Sequence, residues 1–63
     1  MSADVYGKIA EQLRDVEGKI KIARDYISTA RIAGEDTNAL EAQVRELEKR
    51  ALGWKSALRA KGY

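Results

Sequence analysis

The apolar residues of this chain return at alternating intervals of four and three. Ile9, Leu13, Val16, Ile20, Ala23, Ile27 and Ala30 form one series, and Leu40, Val44, Leu47, Ala51, Trp54 and Leu58 form a second. A mean spacing of 3.5 residues is the heptad signature of helices packed along a seam, whereas a strand needs strict alternation. Between the two series lies Ala33-Gly34-Glu35-Asp36-Thr37-Asn38. Gly34 is suited to the left-handed backbone that ends a helix. Asp36, Thr37 or Asn38 can cap the next one, and Asn38 with Glu41 has capping-box spacing. The pattern predicts an all-α fold in one domain over residues 1–63, with helices over about 3–33 and 38–61 and a turn at 34–37. At the rise of an α-helix these would be ~46 and ~36 Å long.

So short a link makes the helices antiparallel neighbours. Folding back at Gly34 sets Ala30 level with Leu40, Ile27 with Val44, Ala23 with Leu47, Ile20 with Ala51, Val16 with Trp54 and Leu13 with Leu58. Half of these layers oppose an alanine to a larger residue, which lets two helices approach closely while the volume stays filled. Trp54, on the seam, is expected in the core. Acid-first pairs four residues apart, Asp15 with Lys19, Glu17 with Lys21, Glu41 with Arg45 and Glu46 with Arg50, are expected to support the helices.

Two helices leave apolar surface over. The second helix keeps its seam within an arc of about 80°, but in the later half of the first the apolar residues spread over about 160°. One neighbour covers one stripe, so Ile22, Tyr26 and Ala33 call for a second surface. Val5 and Tyr6 extend beyond the expected end of the second helix. Gly18, with Gly7 eleven residues before it on nearly the same face, would admit the close approach of another backbone. The interface candidates are therefore Val5, Tyr6, Gly18, Ile22, Tyr26 and Ala33. The fold class expected is an antiparallel helical hairpin that dimerises into a four-helix bundle. In length, hairpin form and alternation of small and large core positions, the chain resembles the small plasmid RNA-binding hairpins of the repressor-of-primer type. That resemblance implies a dimer and carries no functional residue onto this sequence.

Composition narrows the chemistry. The 63 residues contain no cysteine, histidine or proline. Disulfides, thiolate or imidazole metal sites and a neutral-pH proton shuttle are thereby excluded, so association is the stabilising device left to so small a scaffold. Ser2, Ser28 and Ser56 have no histidine base, the glycines form no phosphate-cradling loop, and no zinc or calcium ligand spacing appears. No enzymatic activity, cofactor, metal or small-molecule substrate is expected. A formal charge of +2, no apolar run beyond two residues and no leader-like N-terminus lead to the expectation of a cytoplasmic protein that does not enter a membrane.

Charge raises one alternative. From Lys49 onward the chain carries Lys49, Arg50, Lys55, Arg59 and Lys61 and no acidic residue. These cations suit a helix C-terminus and scatter around the helix, yet they are also what a nucleic-acid-binding dimer would use. The leading expectation is a non-catalytic interaction module, a homodimeric helical adaptor, inhibitor or assembly subunit that binds another protein. The alternative is an RNA- or DNA-binding four-helix-bundle dimer.

Overall fold

A computed structural model describes residues 4–63 of the chain. It is two α-helices, α1 (Val5–Ile32) and α2 (Asn38–Ala60), packed against each other as an antiparallel hairpin. The expected beginning of the first helix near residue 3 lies outside the described residues. Asp4 serves as N-cap, its Oδ1 accepting from the Gly7 N–H at 3.0 Å. At the other end α1 stops at Ile32, one residue earlier than the periodicity implies. The cause is Gly34: at φ +86° it closes a Schellman motif in which Glu35 N–H donates to Ala30 O and Gly34 N–H to Arg31 O, both at 2.9 Å.

Thr37 is the N-cap residue of α2, but the capping-box pairing of Asn38 with Glu41 does not form. Asp36 Oδ1 accepts the Asn38 N–H at 3.0 Å, and the hydroxyl of buried Thr37 donates to Glu41 Oε2 at 2.5 Å. Glu41 also accepts Arg31 Nε at 3.1 Å, so one carboxylate ties the end of α1 to the start of α2.

The core follows the seam. Ile27, Ala30, Val44, Ala51 and Leu58 are buried, and Ile9, Leu13, Val16, Ile20, Ala23 and Leu40 are half-buried. Leu47 and Trp54 depart from this: they lie at seam positions and remain 44% and 47% exposed. The placement of Trp54 in the core is corrected accordingly. The heptad spacing fixes its row on the helix, but a second helix covers only one side of that row.

Charge agrees with the register. Three ion pairs cross between the helices, Arg31 with Glu41, Arg24 with Glu48, and Glu17 with Lys55. Positions 31, 24 and 17 descend α1 by heptads while 41, 48 and 55 ascend α2 by heptads, so every rung occupies the same edge of the hairpin. A slip of one heptad would set Glu17 against Glu48 in one direction, or Arg24 against Lys55 in the other. The observed alignment pairs three opposite charges, whereas either slip keeps one such pair and opposes two like charges. Glu17 and Glu41 do not pair with Lys21 and Arg45; among the described residues all three ion pairs join the two helices.

Candidate interaction surface

The hairpin is 52 × 16 × 13 Å, with a radius of gyration of 14.9 Å where a compact globule of this length would have ~10.6 Å. A bundle two helices wide has no interior beyond its seam, so functional features lie on its long sides. Those sides differ.

One side carries the ion-pair ladder. Arg24 makes a two-pronged contact to Glu48, its Nε 3.2 Å from Oε2 and its Nη2 2.5 Å from Oε1, and Lys55 Nζ is 2.9 Å from Glu17. The Arg24 guanidinium holds the Glu48 carboxyl below the usual carboxylate range and is itself raised by the same bond. Glu41 is likewise lowered, first by the Thr37 hydroxyl and then by Arg31. Between the rungs lies a shallow groove of about 700 Å³ whose lining includes Arg14, Gly18, Lys21, Leu52 and Lys55. Gly18 faces this side, and the space beside it is open: a Cβ there would meet no atom within 4 Å.

The other side is apolar. Ile9, Leu13, Val16, Leu47, Ala51 and Trp54 line a groove of about 330 Å³ edged by Gln12 and Arg50. Two heptads along the Gln12 row stands Tyr26, 59% exposed, with Ala33 a further heptad on. Ile22, 72% exposed, borders this row on the outer face of α1. Of the interface candidates, Tyr26 and Ala33 therefore share a helix row with the edge of the apolar groove and Ile22 adjoins it, while Gly18 belongs to the charged side. Leu47 and Trp54 are the residues that the sequence reading missed. Their signal was present in their spacing, since Leu40, Leu47 and Trp54 are successive heptad positions on the same flank of the seam.

Val5 and Tyr6 lie at the open end of the hairpin. Tyr6 does not extend unmatched. Gly62, at φ +87°, forms a second Schellman motif with Tyr63 N–H donating to Leu58 O at 2.9 Å and Gly62 N–H to Arg59 O at 3.0 Å. This turn carries Tyr63 back across the hairpin end. Its ring lies 6.0 Å from that of Tyr6, its hydroxyl donates to Asp4 Oδ1 at 2.8 Å, and Lys61 Nζ stands 5.6 Å from the Tyr6 ring centroid. The bond to Asp4, strengthened by the carboxylate charge, raises the Tyr63 phenol above its ordinary value. Asp4 thus caps α1 and anchors the far end of the sequence at one atom.

The basic residues of α2 do not share one surface. Lys55 is paired with Glu17, Lys61 sits over Tyr6, and Arg50 edges the apolar groove; Lys49 and Arg59 are exposed elsewhere on the helix. Among the described residues no group of three or more acidic side chains converges on a metal-sized space, and no helix is long and apolar enough to cross a membrane. Compared with protein-family models, curated proteins and solved structures, the chain matches none of them.

Proposed function

We propose that this protein is a non-catalytic protein–protein interaction module: a small helical adaptor, inhibitor or assembly subunit that works as a dimer and binds another protein. The observation that supports the reading is the asymmetry of the two sides. One is bridged by ion pairs between its own helices, and the other exposes Leu47 and Trp54 beside an apolar groove, with Tyr26 exposed farther along α1. Aromatic and aliphatic side chains held on rigid helices are the residue types that anchor protein interfaces. Ile22, turned further outward than the groove, remains available to a target after the groove is covered.

The test is affinity capture from the source cells with quantitative mass spectrometry, using the intact chain and its Ile22→Glu and Tyr26→Ala variants. The proposal predicts one protein recovered near stoichiometric amount and lost with at least one variant whose circular dichroism is unchanged. Capture of only the chain itself would remove the target-binding part of the proposal.

A further inference from the structure

The side of the hairpin that carries the ion-pair ladder holds more positive charge than the ladder uses. Arg24, Arg31 and Lys55 are each matched by a carboxylate across the seam. The next heptad row outward on α1 contributes Arg14 and Lys21, and the next row outward on α2 contributes Arg45 and Arg59. All four are exposed, none joins an ion pair among the described residues, and neither row contains an acid. Seven cations against three carboxylates give this side +4, while the whole chain carries +2 and the remaining surface −2. Arg45 stands near enough to the ladder to add to the lowering of Glu41 and Glu48, behind the hydrogen bonds they accept from Thr37 and Arg24. Between the two basic rows runs the groove of about 700 Å³, and its floor is apolar. Ile20, Ala51 and Leu52 line it, and Leu52 is 66% exposed in the row between Arg45 and Arg59. Gly18 leaves open space at the α1 edge.

We propose that this side docks a helix of another protein, one whose apolar seam is flanked by carboxylates on both edges. The proposal rests on reading the protein as an interaction module, and adds a second surface whose use does not depend on what covers the apolar side. A third helix laid along the groove at the usual ~8–10 Å spacing touches both α1 and α2. Its apolar seam covers Leu52 and Ile20. Its carboxylates reach Arg14 and Lys21 on one edge and Arg45 and Arg59 on the other. The spacing agrees, since Arg14 and Lys21 are one heptad apart and Arg45 and Arg59 two, ~10.5 and ~21 Å at the helical rise. A heptad helix places its own flanking residues on the same repeat. The arrangement favours a helix over a nucleic-acid backbone. Phosphates crossing the groove would meet Glu17 and Glu48, which line it, and would gain nothing from Leu52. An apolar seam covers the leucine and keeps its charges at the edges.

The probe is a three-heptad peptide with leucine at the seam positions, glutamate on both flanks and alanine elsewhere. A shuffled peptide of equal composition and a short RNA duplex are compared with it. Amide shifts of the intact chain locate binding, and fluorescence anisotropy measures its strength. The ordered peptide is expected to shift Gly18, Lys21 and Leu52 and to bind more tightly than the shuffled one. Arg14→Glu with Lys21→Glu should weaken it about tenfold, because two exposed attractions become repulsions. Leu52→Gln should weaken it in high salt as well as low, since salt screens the charges and not the apolar contact. These positions are exposed, circular dichroism checks each fold, and the Leu52 variant carries the test if the charge variant does not fold. Equal binding of the shuffled peptide, or tighter binding of the RNA, overturns the helix as occupant. No shift at low salt, or shifts confined to Leu47 and Trp54, overturns the site. Shifts at Gly18 and Leu52 on concentrating the chain alone give the side to a second copy and also overturn the proposal. The peptide test does not use Ile22 or Tyr26, so these results leave affinity capture to judge the interaction module on its own.

Discussion

Truncating three leucines to alanine separates a solvated apolar side from a covered one. The chemical change is the same at each site, so differences in cost report burial. Removing three carbons from a fully buried leucine forfeits ~2.4 kcal/mol of transfer free energy at ~0.8 kcal/mol per carbon. Leu58 is 4% exposed and loses nearly all of this, with a further cavity contribution that places Leu58→Ala in the range of about 2–5 kcal/mol. Leu52 is 66% exposed, and scaling by its buried fraction gives ~0.8 kcal/mol. Leu47 discriminates. At 44% exposure in the isolated hairpin it should cost ~1.3 kcal/mol. Beneath a second copy it becomes a core leucine, and its cost rises to that of Leu58. The assay is urea unfolding followed by circular dichroism, with each variant measured at two chain concentrations a hundredfold apart. The account predicts that Leu47→Ala matches Leu58→Ala and that the transition midpoints of the intact protein rise with concentration. A Leu47→Ala cost near half that of Leu58→Ala, with midpoints independent of concentration, would refute the covered groove.

Acid and alkali should each weaken the fold through identified groups. Glu41 and Glu48 titrate lower folded than unfolded, so their contribution is complete above the ordinary glutamate value near 4.5 and fades as pH falls below it. Tyr63 is raised, so its contribution is complete below about pH 10 and fades as pH rises beyond that; Tyr63→Phe should remove the alkaline part from a thermal-melt pH series. Reversing Arg24 to Glu should lower the melting temperature, and adding Glu48→Arg should restore it; failure of the double variant to recover would deny the ladder its role in register. Gly34→Ala should cost about 1–2 kcal/mol because alanine resists positive φ. Gly18→Ala, with open space around the added carbon, should stabilise α1 by up to ~1 kcal/mol and leave dimerisation unchanged.

The hairpin itself was legible in the sequence because its determinants are local and periodic. Heptad spacing marks a seam wherever it occurs, and Gly34 is a residue whose backbone freedom the turn requires. What escaped is non-local or depends on how far a neighbour reaches. The ion-pair ladder joins residues from 10 to 38 positions apart, and local spacing pointed to Lys21 as partner for Glu17 when Lys55 reaches it across the hairpin. The exposure of Trp54 could not follow from its row, because a seam position is shared between the flanks and one helix shields only one of them. Gly62 was overlooked as a second helix-ending glycine, and with it the return of Tyr63 to Asp4 and Tyr6. The apolar surplus on α1 was visible as an arc too wide for one partner. Its counterpart on α2 emerged once the helices were placed side by side.

Sedimentation equilibrium of the intact chain at micromolar concentration tests most directly whether this hairpin is half of a larger core. The account predicts a species of twice the 7.0 kDa chain mass, dissociating on dilution and abolished by Leu47→Glu. A single 7.0 kDa species up to hundreds of micromolar would contradict it.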